Sequence, residues 1–159
     1  VVSGIDIALW DAYGKSTGRS VSRLLGGRRR DEVRAYATGH FFREVEDFGR
    51  LQSVIAEEAR GHVDAGFTAL KQKVGLSRHF PWGPEEDIEL VRTVREAVGD
   101  GIDLMVDANH AYDLATAKRV ANGLEGLDVR FFEEPVRPEV AYYADLSDDV
   151  DVPIAGGES

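Results

Sequence analysis

Two lysines stand one residue apart in a sequence whose basic residues are mostly arginine. Lys71 and Lys73 are separated only by Gln72. If this segment is a strand, both side chains point to the same face, because successive residues of a strand alternate. Repulsion between the two ammonium groups, together with any metal cation bound nearby, would lower the pKa of one amine. That amine would be a candidate general base. A pair of solvated surface lysines is the alternative interpretation.

Three carboxylates each close a predicted strand at its C-terminal end, and about one βα unit separates each from the next. They are Asp107, Glu133 and Glu158. In a (β/α)8 barrel such ends gather at one rim, where these folds carry their chemistry. Carboxylates brought together need a cation, and oxygen ligands without Cys or His favour Mg²⁺ over Zn²⁺. The spacing therefore predicts a magnesium site, although a strand-end acid can also simply cap the next helix.

The elements that must position these residues alternate along the chain. Apolar residues at helical spacing predict one leading helix, and after it short apolar strands alternate with amphipathic helices. Glu85, Glu86 and Asp87 fall in the first turn of one helix, where the helix dipole favours acids. The predicted strands are 33–38, 68–74, 102–107, 129–133 and 152–157, and the predicted helices are 3–15, 48–65, 84–98, 114–124 and 139–146.

This alternation predicts an α/β fold with a parallel sheet built through right-handed crossovers. Two architectures fit, an open doubly wound sheet and a (β/α)8 barrel. No glycine-rich phosphate loop follows any strand, which weakens the nucleotide-binding doubly wound option. The carboxylates at successive strand ends favour the barrel, of which the chain would supply the first five strands.

Composition excludes several classes of protein. Among 159 residues, 29 acidic and 19 basic side chains give a formal charge of −10, which argues against a nucleic-acid partner. The chain has no cysteine, so disulfides and thiolate sites are excluded, and we expect a reducing cytoplasm. No apolar run is long enough to span a membrane. The chain begins with Val1 and its one methionine is Met105, so we expect it to be part of a longer protein.

Five stretches together resemble the enolase superfamily, in its mandelate racemase and muconate lactonizing enzyme branch. The first runs from Ser3 to Asp11 and continues to the Leu-Leu-Gly-Gly segment at 24–27; it is similar to the helix and linker between the capping domain and the barrel of that family. The others resemble the K-x-K motif and the metal motifs of successive strands. They are Lys71-Gln-Lys73, Val106-Asp-Ala-Asn109, Phe132-Glu-Glu-Pro135 and Gly157-Glu158.

The resemblance implies two domains and a metal. Residues 1–27 would be the C-terminal helix and linker of an α+β capping domain, and residues 28–159 the first part of a modified barrel. Asp107, Glu133 and Glu158 would bind Mg²⁺, which the carboxylate of the substrate would chelate. The full-length protein would be a homo-oligomer acting on a small-molecule carboxylate.

The resemblance also implies roles for individual residues. Lys73 would abstract the proton α to the carboxylate, and Lys71 would help to hold the charge of the enediolate. Asn109 corresponds to a position that can contact substrate, though a turn-forming asparagine is an equally good interpretation. His40, at the end of the first strand, would line the pocket.

Two neighbours of these residues are weaker candidates. Glu134 should point away from Glu133 by strand alternation, which favours a wall or supporting role over metal ligation. His110 follows Asn109 in a predicted loop and could serve only as a cap.

Dehydration of a sugar acid is the activity that the resemblance favours, by analogy with relatives that carry this style of motif. A racemase, epimerase or cycloisomerase of the same superfamily is the alternative, because the second acid or base of the family lies on later strands. From other classes, a Schiff-base aldolase using one lysine and an inactive fragment or scaffold stay open. We expect residues 1–159 alone to be inactive.

Overall fold

The structure, a computed structural model, describes residues 2–39, 45 and 47–158. The chain divides into two compact units, Val1–Arg34 and Ala35–Ser159. No helix among the described residues is long and apolar enough to cross a membrane.

The first unit contains two helices, α1 (Val2–Thr17) and α2 (Val21–Leu24). The first confirms the predicted leading helix. The N-cap of the second is Ser20, whose side chain accepts a hydrogen bond from the backbone N–H of Arg23.

The second unit is built on one sheet of five parallel strands that lie side by side in chain order. A doubly wound sheet reverses its strand order at a switch point, and this sheet has no reversal, so the barrel-type order is confirmed. The strands are β1 (Ala37–Thr38), β2 (Ala69–Lys73), β3 (Asp103–Asp107), β4 (Val129–Glu133) and β5 (Ile154–Ala155). The helices are α3 (Phe48–Asp64), α4 (Pro84–Val98), α5 (Leu114–Gly123) and α6 (Val140–Asp149).

Side chains beside the first turns of three helices cap their N-termini. The carboxylates of Asp47 and Asp113 accept hydrogen bonds from backbone N–H groups in the first turns of α3 and α5. Pro84 occupies the first turn of α4, and Glu86 accepts a hydrogen bond from the N–H of Gly83 before it. These caps set the points at which the strand-end loops enter the helices.

The core lies between the sheet and its helices. On one face of the strands, Leu70, Leu104, Val106 and Phe132 are fully buried in the same hydrophobic cluster as residues of α3, α4 and α5. Gln72 belongs to this face by strand alternation, and both its amide atoms are buried without a hydrogen-bond partner among the described residues. The other face carries the two lysines and the strand-end carboxylates.

One arginine joins several backbone segments by hydrogen bonds at the amino end of the sheet. Arg95 of α4 is buried, with 7% of its surface exposed. Its guanidinium donates hydrogen bonds to four backbone carbonyls in the segments that lead into β3 and β4. The acceptors are the carbonyl oxygens of Gly99, Ile102, Leu127 and Asp128, at 2.7–3.1 Å.

The two outer strands are shorter than predicted. The predicted strand 33–38 is confined to Ala37–Thr38, and the predicted strand 152–157 to Ile154–Ala155. Each outer strand pairs on one side only, through two residues, so fewer backbone groups hold it extended than in β2 or β3. The predicted helix 139–146 instead runs over Val140–Asp149.

Candidate active site

Strand register places the predicted lysines and carboxylates side by side. Lys71 pairs with Met105 and Lys73 with Asp107 across β2 and β3, and Asp107 pairs with Glu133 across β3 and β4. Residues paired in register point to the same face of a sheet. The structure therefore brings two of the three predicted carboxylates together with both lysines, at the carboxyl end of the sheet.

The charged groups contact one another directly. The Nζ of Lys71 lies 2.5 Å from Oε2 of Glu133 and 3.4 Å from Oδ2 of Asp107. The Nζ of Lys73 lies 2.5 Å from the same Oδ2 of Asp107. Asp107 and Lys71 are only 1% and 8% exposed, so these opposite charges attract each other with little screening by water.

The carboxylates set the direction of the pKa shift at Lys71. Burial lowers the pKa of its amine, but the hydrogen bond to Glu133 and the negative charges of Asp107 and Glu133 outweigh burial, so the pKa is raised above its ordinary value. Lys71 therefore acts as a fixed positive charge between two carboxylates.

Asn109 makes a turn and also contacts Lys73. Its backbone is left-handed, with φ of 45°, and its N–H donates to Oδ1 of Asp107 at 3.0 Å. Its side-chain oxygen accepts a hydrogen bond from Lys73 at 2.6 Å. The turn-forming interpretation is therefore correct, and the same residue presents its amide oxygen to the candidate base.

Glu134 and His110 form a buried pair beside Asn109. Oε2 of Glu134 lies 3.2 Å from Nε2 of His110, and Nδ1 of His110 lies 2.7 Å from the carbonyl oxygen of Val136. A carbonyl can only accept, so Nδ1 carries a hydrogen. Nε2 of His110 is therefore the ring nitrogen that faces the carboxylate of Glu134.

Glu134 supports the site rather than reaching into the charged cluster. It is 2% exposed, and its Oε2 accepts a hydrogen bond from Nδ2 of Asn109 at 3.4 Å. Its other carboxylate oxygen, and the hydroxyl of Tyr143, are buried without a partner among the described residues. Burial and the negative charges of Glu134, Glu133 and Asp107 raise the pKa of Tyr143.

The two remaining predicted site residues are not part of this cluster. Glu158 is exposed beyond the end of β5, and within the described residues no three His, Cys, Asp or Glu side chains are grouped to hold a metal ion. Its assignment as a ligand stays a prediction. His40 lies outside the described residues.

The donor chemistry at Asp107 and Glu133 fits a divalent cation. One oxygen of each carboxylate already converges on a single positive charge, the Nζ of Lys71. Both donors are hard oxygens, the ligand type that Mg²⁺ prefers. Two register-paired carboxylates therefore offer oxygen donors of the type that Mg²⁺ prefers, and Glu158 follows the next strand along the sheet.

Asp87 is a buried acid whose importance the sequence did not reveal. It is fully buried, and its carboxylate accepts hydrogen bonds from the N–H groups of Gly75 and Leu76 and from the hydroxyl of Tyr112, at 2.6–3.0 Å. It thus joins the loop after β2 to the loop after β3. Burial raises the pKa of Asp87 despite these three hydrogen bonds.

Residue type alone does not separate Asp87 from Glu85 and Glu86 as acids of a first helical turn. The helical phase offered one signal, because Asp87 lies three and four residues before the buried Leu90 and Val91 and therefore shares their face. An acid on an apolar face needs partners, and the structure supplies them from the two loops.

A cavity of about 200 Å³ opens between these loops. Lys73 and Asn109 lie in its lining together with Arg78 and His79. Its size and its mixture of cationic and hydrogen-bonding groups suit a small polar anion.

A sequence model of the enolase C-terminal domain-like family matches residues 54–159. The chain belongs to this family. The match covers strands β2 to β5, which carry the lysine pair and the strand-end carboxylates described above. The predicted relation to the enolase superfamily is therefore confirmed.

Two curated relatives share the whole length of the chain. The chain is 45% identical over 159 residues to D-galactarolactone cycloisomerase of Agrobacterium fabrum, covering 99% of the chain and 40% of that protein. It is 39% identical to arabinonate dehydratase of Saccharolobus solfataricus, again over 99% of the chain and 40% of the relative. The chain thus spans about two-fifths of the length of these relatives.

Solved structures agree with the fold. The 3,6-anhydro-D-galactonate cycloisomerase of Zobellia galactanivorans superposes with a TM-score of 0.82 at 39% identity, covering 99% of this chain and 41% of that one. A mandelate racemase/muconate lactonizing enzyme from a marine actinobacterium, in complex with magnesium, superposes with a TM-score of 0.75 at 29% identity, over 98% of this chain and 41% of that one. These family members confirm the prediction of a partial α/β barrel.

Proposed function

We propose that this chain belongs to a longer Mg²⁺-dependent enzyme that removes the proton α to the carboxylate of a sugar acid. The observation that carries the proposal is the placement of Lys73. Its Nζ contacts Asp107 at 2.5 Å and Asn109 at 2.6 Å, and it faces a cavity of about 200 Å³. An amine so placed can act as a general base once it has released its own proton.

Lys71 and Lys73 have separate tasks in this reaction. Lys73 takes the α proton, whereas Lys71 supplies a positive charge beside Glu133 and Asp107. A fixed ammonium group stabilises the negative charge that develops on the carboxylate of the substrate when the proton leaves. A proton α to a carboxylate is so weakly acidic that the reaction needs this stabilisation.

Asp107 and Glu133, with Glu158 from the end of β5, would hold Mg²⁺. The metal would supply Lewis-acid stabilisation of the substrate carboxylate. The supports for this assignment are the hard-oxygen donor set, the convergence of two carboxylates on one cationic nitrogen, and the magnesium named in a family structure.

We propose dehydration as the overall reaction, with the departure of a hydroxyl group from the β carbon after proton removal. Cycloisomerisation is the second candidate, since a cycloisomerase shares 45% identity with the chain. Both reactions can begin with the same proton transfer and then differ in which bond at the β carbon breaks. Residues 1–27 would belong to a capping domain, residues 28–159 to the catalytic barrel of a homo-oligomer.

Exchange of the α proton in D₂O tests the proposed role of Lys73. Sugar acids and their lactones are incubated with the full-length protein and Mg²⁺, and deuterium incorporation is followed by NMR. Lys73→Ala should abolish exchange but leave Mg²⁺ binding intact. Lys118→Ala is the matched control, because Lys118 pairs with Asp149 on the surface and should be dispensable.

The products separate the candidate reactions. A product lighter by one water indicates dehydration, and a product of unchanged mass indicates cycloisomerisation or racemisation. Undiminished exchange in Lys73→Ala would overturn the assignment of the base. A lysine adduct trapped by borohydride would instead support a Schiff-base aldolase.

A further inference from the structure

Three residues with unfavourable backbone angles meet beside Lys73. Asn109 and His110 are consecutive and have φ angles of 45° and 61°, and Glu134 has a φ of 44°. Non-glycine residues seldom adopt this left-handed region, and such angles persist only where the surroundings hold them. Strained residues gathered at one point therefore identify a place where geometry is tightly imposed.

The surroundings hold the Asn109–His110 turn at its backbone atoms. The guanidinium of Arg78 donates to both carbonyl oxygens of the turn, at 2.9 and 2.8 Å. The N–H of Asn109 donates to Oδ1 of Asp107, and the N–H of His110 donates to the carbonyl oxygen of Glu134 at 2.6 Å. Both donors and both acceptors of this strained dipeptide backbone are thus engaged.

Glu134 determines which way the amide of Asn109 points. Its Oε2 accepts a hydrogen bond from Nδ2 of Asn109 at 3.4 Å, and a carboxylate oxygen is an acceptor for the amide. The NH₂ group of Asn109 must therefore face Glu134. The amide oxygen is left facing the Nζ of Lys73, with which it makes a hydrogen bond of 2.6 Å.

We propose that Glu134 is a positioning residue for the base: through the amide of Asn109 it holds the ammonium group of Lys73 at the mouth of the cavity. This inference rests on the proposed function of Lys73. In the opposite orientation, the NH₂ group of Asn109 would face the ammonium group of Lys73. Both groups donate hydrogen bonds and neither accepts one, so they would form no hydrogen bond with each other. Lys73 would then turn away from Asn109, and fewer enzyme molecules would hold the base in place for the α proton.

Exchanging the carboxylate at position 134 with the amide at position 109 tests the proposal. In Glu134→Gln the new amide can donate to Nε2 of His110, and Asn109 then flips so that its oxygen accepts from the same amide. In Asn109→Asp two carboxylates face each other. In the double variant N109D/E134Q, the introduced amide donates both to His110 and to the introduced carboxylate, whose second oxygen again faces Lys73.

The expected result is that each single variant lowers kcat for α-proton exchange by roughly tenfold or more, with little change in KM, and that the double variant recovers most of the loss. Glu139→Gln, an exposed glutamate in the same loop, is the matched control and should leave kcat unchanged. A merely structural role of Glu134 predicts a double variant at least as impaired as the worse single variant, and that result would overturn the inference.

A second measurement does not depend on turnover. Hydrogen exchange of the side-chain NH₂ of Asn109, followed by NMR, should be slow in the wild type and faster in Glu134→Gln. Unchanged exchange in that variant would overturn the inference. Failure of the wild type to exchange the α proton of any sugar acid would instead count against the proposed function, while the orientation of Asn109 would still be decided by the NMR measurement.

Discussion

The two ends of the sheet both bury charged side chains, but they give those charges different partners. At the amino end, the guanidinium of Arg95 donates to four neutral carbonyl oxygens. At the carboxyl end, Lys71 and Lys73 contact the ionised side chains of Asp107 and Glu133. The carbonyl partners of Arg95 position the backbone and do not change their charge. The carboxylate partners of the two lysines can exchange protons, and a substrate can displace them.

Burial of a charge is therefore a weak indicator of function by itself. The carboxyl end is distinguished by buried opposite charges, with Nζ of Lys71 3.4 Å from Asp107, and by a cavity that Lys73 lines. The amino end shares the burial of a charge and a residue of positive φ, Asp128, but its ion pair of Arg130 with Asp103 is exposed. This difference agrees with the general division of barrel folds into a stabilising face and a catalytic face.

Loss of Arg95 should have the largest effect on stability. Arg95→Met keeps much of the side-chain volume but leaves up to four carbonyls without their donor, so the free energy of unfolding should fall by about 3 kcal/mol or more. Urea denaturation of the full-length protein measures the change. Arg130→Met is the matched control: Arg130 makes an exposed ion pair with Asp103, so the loss should stay within about 1 kcal/mol.

The same variant also tests whether the two ends are separable. At a temperature where Arg95→Met is folded, kcat for α-proton exchange should match the wild type, because Arg95 contacts none of the proposed site residues. A large loss of kcat in a folded protein would show that the amino end contributes to the chemistry.

Tyr112→Phe should have a smaller effect and act at the carboxyl end. The ring still packs edge-on against Phe132, with centroids 6.2 Å apart, but Asp87 loses the hydroxyl donor at 2.6 Å. A buried acceptor without its donor costs about 1–3 kcal/mol, measurable by urea denaturation. Tyr142→Phe removes an exposed hydroxyl and should be neutral; equal losses in both variants would argue against a special role for the Asp87–Tyr112 contact.

The pH dependence of stability should show the smallest effect. Because burial raises the pKa of Asp87 in the folded protein, the folded state holds this proton more tightly than the unfolded state. Its contribution is present below the ordinary aspartate pKa of about 3.9 and is lost as pH rises through the raised value. Asp87→Asn can keep the two backbone hydrogen bonds through its amide oxygen, with its NH₂ donating to the Tyr112 hydroxyl, and it removes this titration.

Between about pH 4 and neutrality, the wild type should therefore lose stability relative to Asp87→Asn. Thermal unfolding of both proteins across this range measures the difference. A difference that grows in the opposite direction would show that hydrogen bonding to the ionised carboxylate outweighs its burial.

Much of this architecture could be predicted from local patterns. The predicted segment 129–133 matches β4, 84–98 matches α4, and the lysines and two carboxylates fall together because strand alternation and parallel register are general rules. The outer strands were predicted too long, because apolar composition favours an extended chain but pairing on one side limits how far the strand continues.

The supporting contacts could not be predicted, since they join segments that are distant in sequence. Asp87 meets Tyr112, and Arg78 meets the carbonyls of Asn109 and His110. A supporting role was predicted for Glu134, but its contact with the Asn109 amide depends on backbone angles that no composition or period encodes. Such contacts follow from loop geometry, which the sequence expresses only weakly.

Gly75 shows that a position can be intolerant of mutation for a structural reason alone. Its φ is +94°, and a Cβ there would lie 2.5 Å from the Cβ of Ala111, in the loop after β3. Any side chain would push apart the loop that follows Lys73 and the loop that carries Asn109. In a mutational scan scored by activity alone, Gly75 would be as intolerant as the base itself, although it contributes no functional group; only a parallel scan of protein abundance would distinguish the two.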